Sequence, residues 1–156
     1  MAKKLMTKRE IKNFIEESMK RKAMSWSAGV VIVKRDILGE WKFLALKKFN
    51  GQYDIAKGIV EPGEKNLECA IREAEEEASI TLSDDNFIWG GKSISYGRGI
   101  AYLATSEDTP KVKANPETGE LEHKSVSWVS FDEMIVNVSD FLRPAILWAY
   151  RVITGG

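Results

Sequence analysis

Glu73, Glu75, Glu76 and Glu77 place four carboxylates within five residues of a stretch whose apolar positions recur at helical spacing. Leu67, Ala70, Ile71, Ala74 and Ala78 mark one face of that helix, and an apolar face must be buried against another layer. Glu73, Glu76 and Glu77 stand at i, i+3 and i+4, so their side chains emerge together from a different face. Alone, this is an awkward arrangement. Like charges at this spacing cost roughly 0.2–0.5 kcal/mol per pair, and carboxylates close to a helix C-terminus oppose its dipole by about 0.3–1 kcal/mol each where exposed. A cation bound at that point reverses both penalties. An oxygen-only ligand set suits Mg2+ or Mn2+ rather than zinc, and Mg2+ typically binds through a few carboxylates together with substrate phosphates. The implied substrate is a phosphate ester or anhydride. A charge run also has a simpler reading as a solvated helix face, so the flanking sequence has to decide.

The frame around this helix is mixed. WSAGVVIVK and WKFLALKKF are β-branched and aromatic runs separated by a turn from Asp36 to Glu40, which predicts two paired strands. A short strand over 53–55 leads into the glycine-bounded segment 58–64. Strands are expected over 87–95, 99–105 and 125–129, with a polar loop over 106–120, and FLRPAILWAYRVI at the C-terminus has helical spacing. The fold class is therefore α/β, a mixed central sheet with helices on both faces. At the other end, Thr7 and Glu10 form a capping-box pattern, with Met6 and Ile11 as its hydrophobic staple. Ile11, Phe14, Ile15 and Met19 give that helix one narrow apolar stripe, predicted to pack on the edge of the domain. Residues 1–24 read as a basic helical extension, with eight lysines and arginines against three glutamates, and residues 25–156 as the domain proper.

Composition excludes several classes. The 23 basic and 23 acidic residues cancel, so no global field draws the surface to a polyanion. A single cysteine, Cys69, excludes a disulfide framework and a cysteine-cluster zinc site. With no long apolar run and no secretory signal, the expectation is a cytoplasmic protein without a membrane partner.

The segment GIVEPGEKNLECAIREAEEEASI resembles the Nudix signature, G-x5-E-x7-R-E-U-x-E-E-x-G-U with U a bulky apolar residue. Gly58, Glu64, Arg72, Glu73, Glu76, Glu77 and Ile80 all fall in register. Ala74 fills the first U position with a smaller side chain, and Ser79 stands where the signature has glycine. The resemblance implies a Nudix-type α/β/α sandwich that hydrolyses diphosphate bonds in nucleotide substrates with Mg2+, or Mn2+, as cofactor. It further implies that Glu73, Glu76 and Glu77 hold metal with the Lys57 carbonyl, that Arg72 orients a glutamate, and that Glu64 and Gly58 support the loop. The base is expected to be a motif glutamate such as Glu76, or a later one, for which Glu122 is the candidate. The lone His123 is a weaker candidate for contact with a phosphate or leaving group.

The segments YDIAKGIVEPGE, GIAYLAT and ELEHKSVSWVSFDE resemble the diadenosine tetraphosphate hydrolase subfamily, with Ala56 in place of its proline. Lys57 is then expected to reach an extra phosphate. Tyr96, 16 residues past Ile80, is expected to stack on an adenine. The implied reaction is asymmetric cleavage of a dinucleoside polyphosphate. Rival readings are an ADP-ribose or nucleotide-sugar pyrophosphatase, an RNA 5′-end pyrophosphohydrolase, and a nucleotide-sensing module without turnover.

Overall fold

The computed structural model describes residues 5–23 and 25–155, and the side chains of all of these except 18–23. Strand β1 (Ser27–Arg35) is the centre of the sheet. One edge runs parallel to β6 (Gly99–Thr105) over its first seven residues, Ser27 opposite Gly99 and Val33 opposite Thr105. The other edge is shared. Val33, Lys34 and Arg35 pair antiparallel with β2 (Trp41–Lys47), while Ser27 to Val30 pair with β4 (Ala56–Ile59). The chain reaches β4 through β3 (Tyr53–Asp54), which hydrogen-bonds to the end of β2. Strand β5 (Ser93–Tyr96) lies antiparallel on β6, and β7 (Ser125–Val129) on β2.

Alternation along β1 divides the core into two layers. Val30 and Ile32 face helix α2 (Asn66–Ala78), whose Ala70, Ala74 and Ala78 are wholly buried with Leu44, Leu46 and Ile80. Val31 and Val33 face the opposite way, onto Phe43, Leu103 and helices α3 (Phe131–Asn137) and α4 (Arg143–Thr154). The result is the expected α/β/α sandwich. Small residues along the buried stripe of α2 let its backbone sit close to the sheet, and Glu73 and Glu77, each one position before a buried alanine, are carried down with it.

Three local expectations differ from what is observed. The strand expected over 87–95 is reduced to β5, because Ser83 to Gly91 close into successive turns. The Asn86 side chain fixes them by accepting from Ser83 N and donating to Thr105 O. Helix α3 was not anticipated, although Ser130 caps it by accepting from Glu133 N at 3.1 Å, an S-x-x-E signature legible in the sequence. Helix α1 (Lys8–Ala23) begins as expected, with Thr7 Oγ1 accepting from Glu10 N. It does not pack on the domain edge as predicted: Ile11, Phe14 and Ile15 are 45–60 % exposed. The Met19 side chain lies outside the described residues.

Candidate active site

Three segments converge on a cleft of about 440 Å³: the run from Lys57 to Pro62, the acidic face of α2, and the loop 106–124, which contributes Lys113, Asn115, Glu122 and His123. Arg72 organises the helix side. Its Nε and Nη2 donate to the two oxygens of Glu64 at 2.7 and 3.0 Å, a bidentate pair, and Nη1 donates to Glu73 at 2.8 Å and Glu76 at 3.1 Å. The five donors of a planar fork suit this, since the three donors of an ammonium could not make all four bonds. Those hydrogen bonds hold Glu64 down at a pKa of about 2.

Glu73 and Glu77 are buried. Burial pushes Glu73 up to about 7, against the pull of Arg72, and Glu77 up to about 9, against the hydrogen bond its Oε1 accepts from Lys57 N at 2.8 Å. Two carboxyls so short of water favour either protons or a cation. Gly58 confirms how closely Glu73 is seated: a Cβ there would stand 2.1 Å from Glu73 Oε1, so only glycine leaves room for the carboxylate. The donor set is rich in hard oxygens, which fits a divalent ion.

Behind Glu77 lies a second acidic layer. Asp54, nearly inaccessible, accepts at 3.0 Å from His123 Nε2 and pairs with Lys57 Nζ at 3.3 Å. Burial raises the Asp54 pKa, but the His123 hydrogen bond and the Lys57 charge outweigh it and leave the group below its ordinary value. His123 Nδ1 in turn faces Glu77 Oε2 at 3.3 Å. Glu122, exposed at the mouth, accepts from Asn115 Nδ2 at 2.9 Å.

The NUDIX domain family model matches residues 25–149. The chain belongs to the Nudix family. It is 27 % identical over 122 residues to the asymmetrical bis(5′-nucleosyl)-tetraphosphatase of Sus scrofa, an alignment covering 69 % of this chain and 80 % of that protein. Two crystal structures of the C. elegans Ap4A hydrolase share the fold. The binary complex aligns with a TM-score of 0.65 at 23 % identity, over 83 % of this chain and 99 % of that one. The other gives 0.56 at 25 % identity, over 83 % and 98 %. The Nudix chain is thus a pyrophosphohydrolase of a family that generally uses divalent metals and acts on nucleotide-type substrates, and no described helix is long and apolar enough to cross a membrane.

Within this Nudix cleft the structure brings together Lys57, Gly58, Arg72, Glu73, Glu76, Glu77 and Glu122, with Glu64 behind Arg72. Tyr96 goes elsewhere. Its ring is 5 % exposed, stacks on Phe141 with centroids 6.1 Å apart, and its hydroxyl lies 3.4 Å from Ser27 Oγ. As placed, it offers no open face to an adenine. Sequence reasoning missed Asp54, Lys113 and Asn115, and it did not foresee that His123 is buried. The signal for Asp54 was its position inside the apolar run of 53–56, where an unpaired acid is costly.

Proposed function

We propose that this Nudix enzyme cleaves dinucleoside polyphosphates asymmetrically, producing ATP and AMP from diadenosine tetraphosphate. The observation that carries the reading is the meeting, in the lining of one cleft, of the carboxylates Glu73, Glu76 and Glu77 with Lys57 and Lys113. The acids suit a metal ion, and the two ammonium groups suit the additional phosphates of a long polyphosphate chain. Similarity to the asymmetrical porcine tetraphosphatase supports the same substrate class.

Glu73, Glu76 and Glu77, with the Lys57 carbonyl, would hold the divalent ion. When bound, the ion supplies neutralisation of phosphate charge and a more acidic water. The protein does the rest. Arg72 fixes Glu73 and Glu76 in their rotamers, Glu64 fixes Arg72, and Gly58 leaves the space that Glu73 fills. Water attacks one phosphorus in line, its oxygen forms the new P–O bond, and the bridging P–O bond breaks with departure of a nucleoside phosphate. Glu76, half-exposed beside Arg72, accepts the proton of that water, and Glu122 across the cleft is the second acceptor in reach of the same space.

Rates on diadenosine tetraphosphate, ADP-ribose and triphosphorylated RNA, with products resolved by chromatography, test the assignment. The expected result is ATP with AMP, at a rate at least tenfold above the other two. A tenfold preference for ADP-ribose would overturn it. In Glu76→Gln we expect a drop in kcat of about 10²–10⁴-fold, the scale of losing a general base; unchanged turnover would shift that role to Glu122.

A further inference from the structure

His123 is the only histidine in the chain, and the fold holds it between two buried acids. Its Nε2 lies 3.0 Å from Asp54 Oδ2 and its Nδ1 lies 3.3 Å from Glu77 Oε2. With Asp54 accepting the Nε2 proton, Nδ1 is the ring nitrogen left facing Glu77 Oε2. At 3.3 Å those two atoms take either a proton or a cation between them. Glu122 brings a third donor from the loop: one ligand atom each from Glu77, Glu122 and His123 all lie within 4.8 Å of one another. Ligand bonds of about 2.0–2.2 Å place neighbouring donors of one ion roughly 3.0–3.5 Å apart, and the His123–Glu77 separation already falls in that range. A carboxylate that orients a histidine whose other nitrogen binds metal is a recurrent arrangement, and it sets the tautomer and raises the basicity of the ligand.

We propose that His123 Nδ1, with Glu77 and Glu122, is a ligand to a divalent ion, and that Asp54 is the positioning residue that aims the ring. The site expected from sequence offered oxygen alone; the fold adds a nitrogen. Mg2+ prefers oxygen ligands, whereas affinity for an imidazole-containing site rises along the first transition series from Mn2+. The cleft is therefore selective for Mn2+ over Mg2+. In this arrangement Glu122 is engaged as a ligand rather than as a proton acceptor. The inference rests on the metal-binding part of the proposed function and is independent of which nucleotide is cleaved.

A single histidine makes the test direct. Mn2+ is added to the full chain, free of any histidine tag and of nucleotide, and pulsed electron paramagnetic resonance is recorded for coupling to nitrogen-14. We expect the coupling of a directly bound imidazole, absent in His123→Gln. Asp54→Asn should weaken Mn2+ binding by about 10–100-fold. Because the buried variants put folding at risk, Glu122→Gln, at an exposed position, provides a second arm and should also weaken Mn2+ binding. Bound Mn2+ without nitrogen coupling would overturn the proposal. Absence of Mn2+ binding would overturn it as well. A preference for ADP-ribose, by contrast, would overturn only the substrate assignment.

Discussion

Ser79 shows how one side chain can carry two opposed effects. It follows α2 with φ 59° and ψ 29°, the one non-glycine residue in the left-handed region among those described. A Cβ in this conformation costs roughly 1–2 kcal/mol, which accounts for the glycine at that position of the Nudix signature. What serine provides in exchange is a hydrogen bond from its Oγ to Lys111 O at 2.9 Å, next to a backbone bond from Lys111 N to Ala78 O. Together with the Lys113–Glu75 ion pair, these bonds tie the loop bearing Glu122 and His123 to the end of the helix bearing Glu77. The net hydrogen bond is worth about 0.5–1.5 kcal/mol, close to the strain it offsets. Ser79→Gly should therefore melt within a few degrees of the parent, while Ser79→Ala, which keeps the strain and loses the bond, should melt lower, by about 2–4 °C per kcal/mol for a chain of this size. Amide exchange over 106–120 should quicken in both. Equal melting temperatures for Ser79→Ala and the parent would show that the hydrogen bond contributes nothing.

At the scale of the element, α2 sets the pH response of the metal-free protein. Glu73 and Glu77 titrate near 7 and near 9 in the fold, burial being the leading cause, against an ordinary value of 4.5. A carboxyl raised in this way is held more tightly as the acid, so its contribution to stability is complete below about 4.5 and is lost as the pH climbs through 7 and 9. Glu64 has the opposite sign. Held at about 2 by Arg72, it stabilises above 4.5 and loses that contribution as the pH falls toward 2. The melting temperature with a chelator present should accordingly be highest near pH 5 and decline toward pH 9, and saturating Mn2+ should flatten the alkaline limb. A flat metal-free profile would mean that neither carboxyl is as short of water as the structure places it. The carboxylate face of α2 was legible in the sequence because i, i+3 and i+4 spacing needs only local geometry. Strands β6 and β7 and the start of α1 were legible for the same reason. Asp54 and His123 were not, because they lie 69 residues apart and meet only when β3 and the loop before β7 come together beside β2 through nonlocal pairing. Tyr96 failed differently: its distance from the motif was right for a pocket residue, but β5 is short and turns that ring into the core beneath α4.

Over the whole molecule, the split edge of β1 explains why a site exists at this point. The N-terminal half of β1 pairs with β4 and its C-terminal half with β2, so the chain leaves the sheet at Gly58 and Ile59 directly above α2. Gly29 makes that crossing possible, since a Cβ on it would lie 2.6 Å from Lys57 Cβ and 2.7 Å from Ala56 O. All of the cleft is therefore built from residues between Lys57 and His123, on a sheet whose two core layers draw only on residues from Val30 onward. Among the described side chains none of helix α1 belongs to either core layer, and its Ile11, Phe14 and Ile15 stay open to solvent, so these gain little of the burial that stabilises the other helices. From this follows the expectation that residues 25–156 form a self-sufficient domain. A chain lacking residues 1–24 should melt within about 1 kcal/mol of the full-length protein, the scatter of surface changes, and should keep its kcat. Calorimetry and the product assay on the shortened chain check both. A loss of several kcal/mol would show that α1 docks on the domain in solution, and a raised KM confined to triphosphorylated RNA would assign its basic residues to a polyanionic substrate.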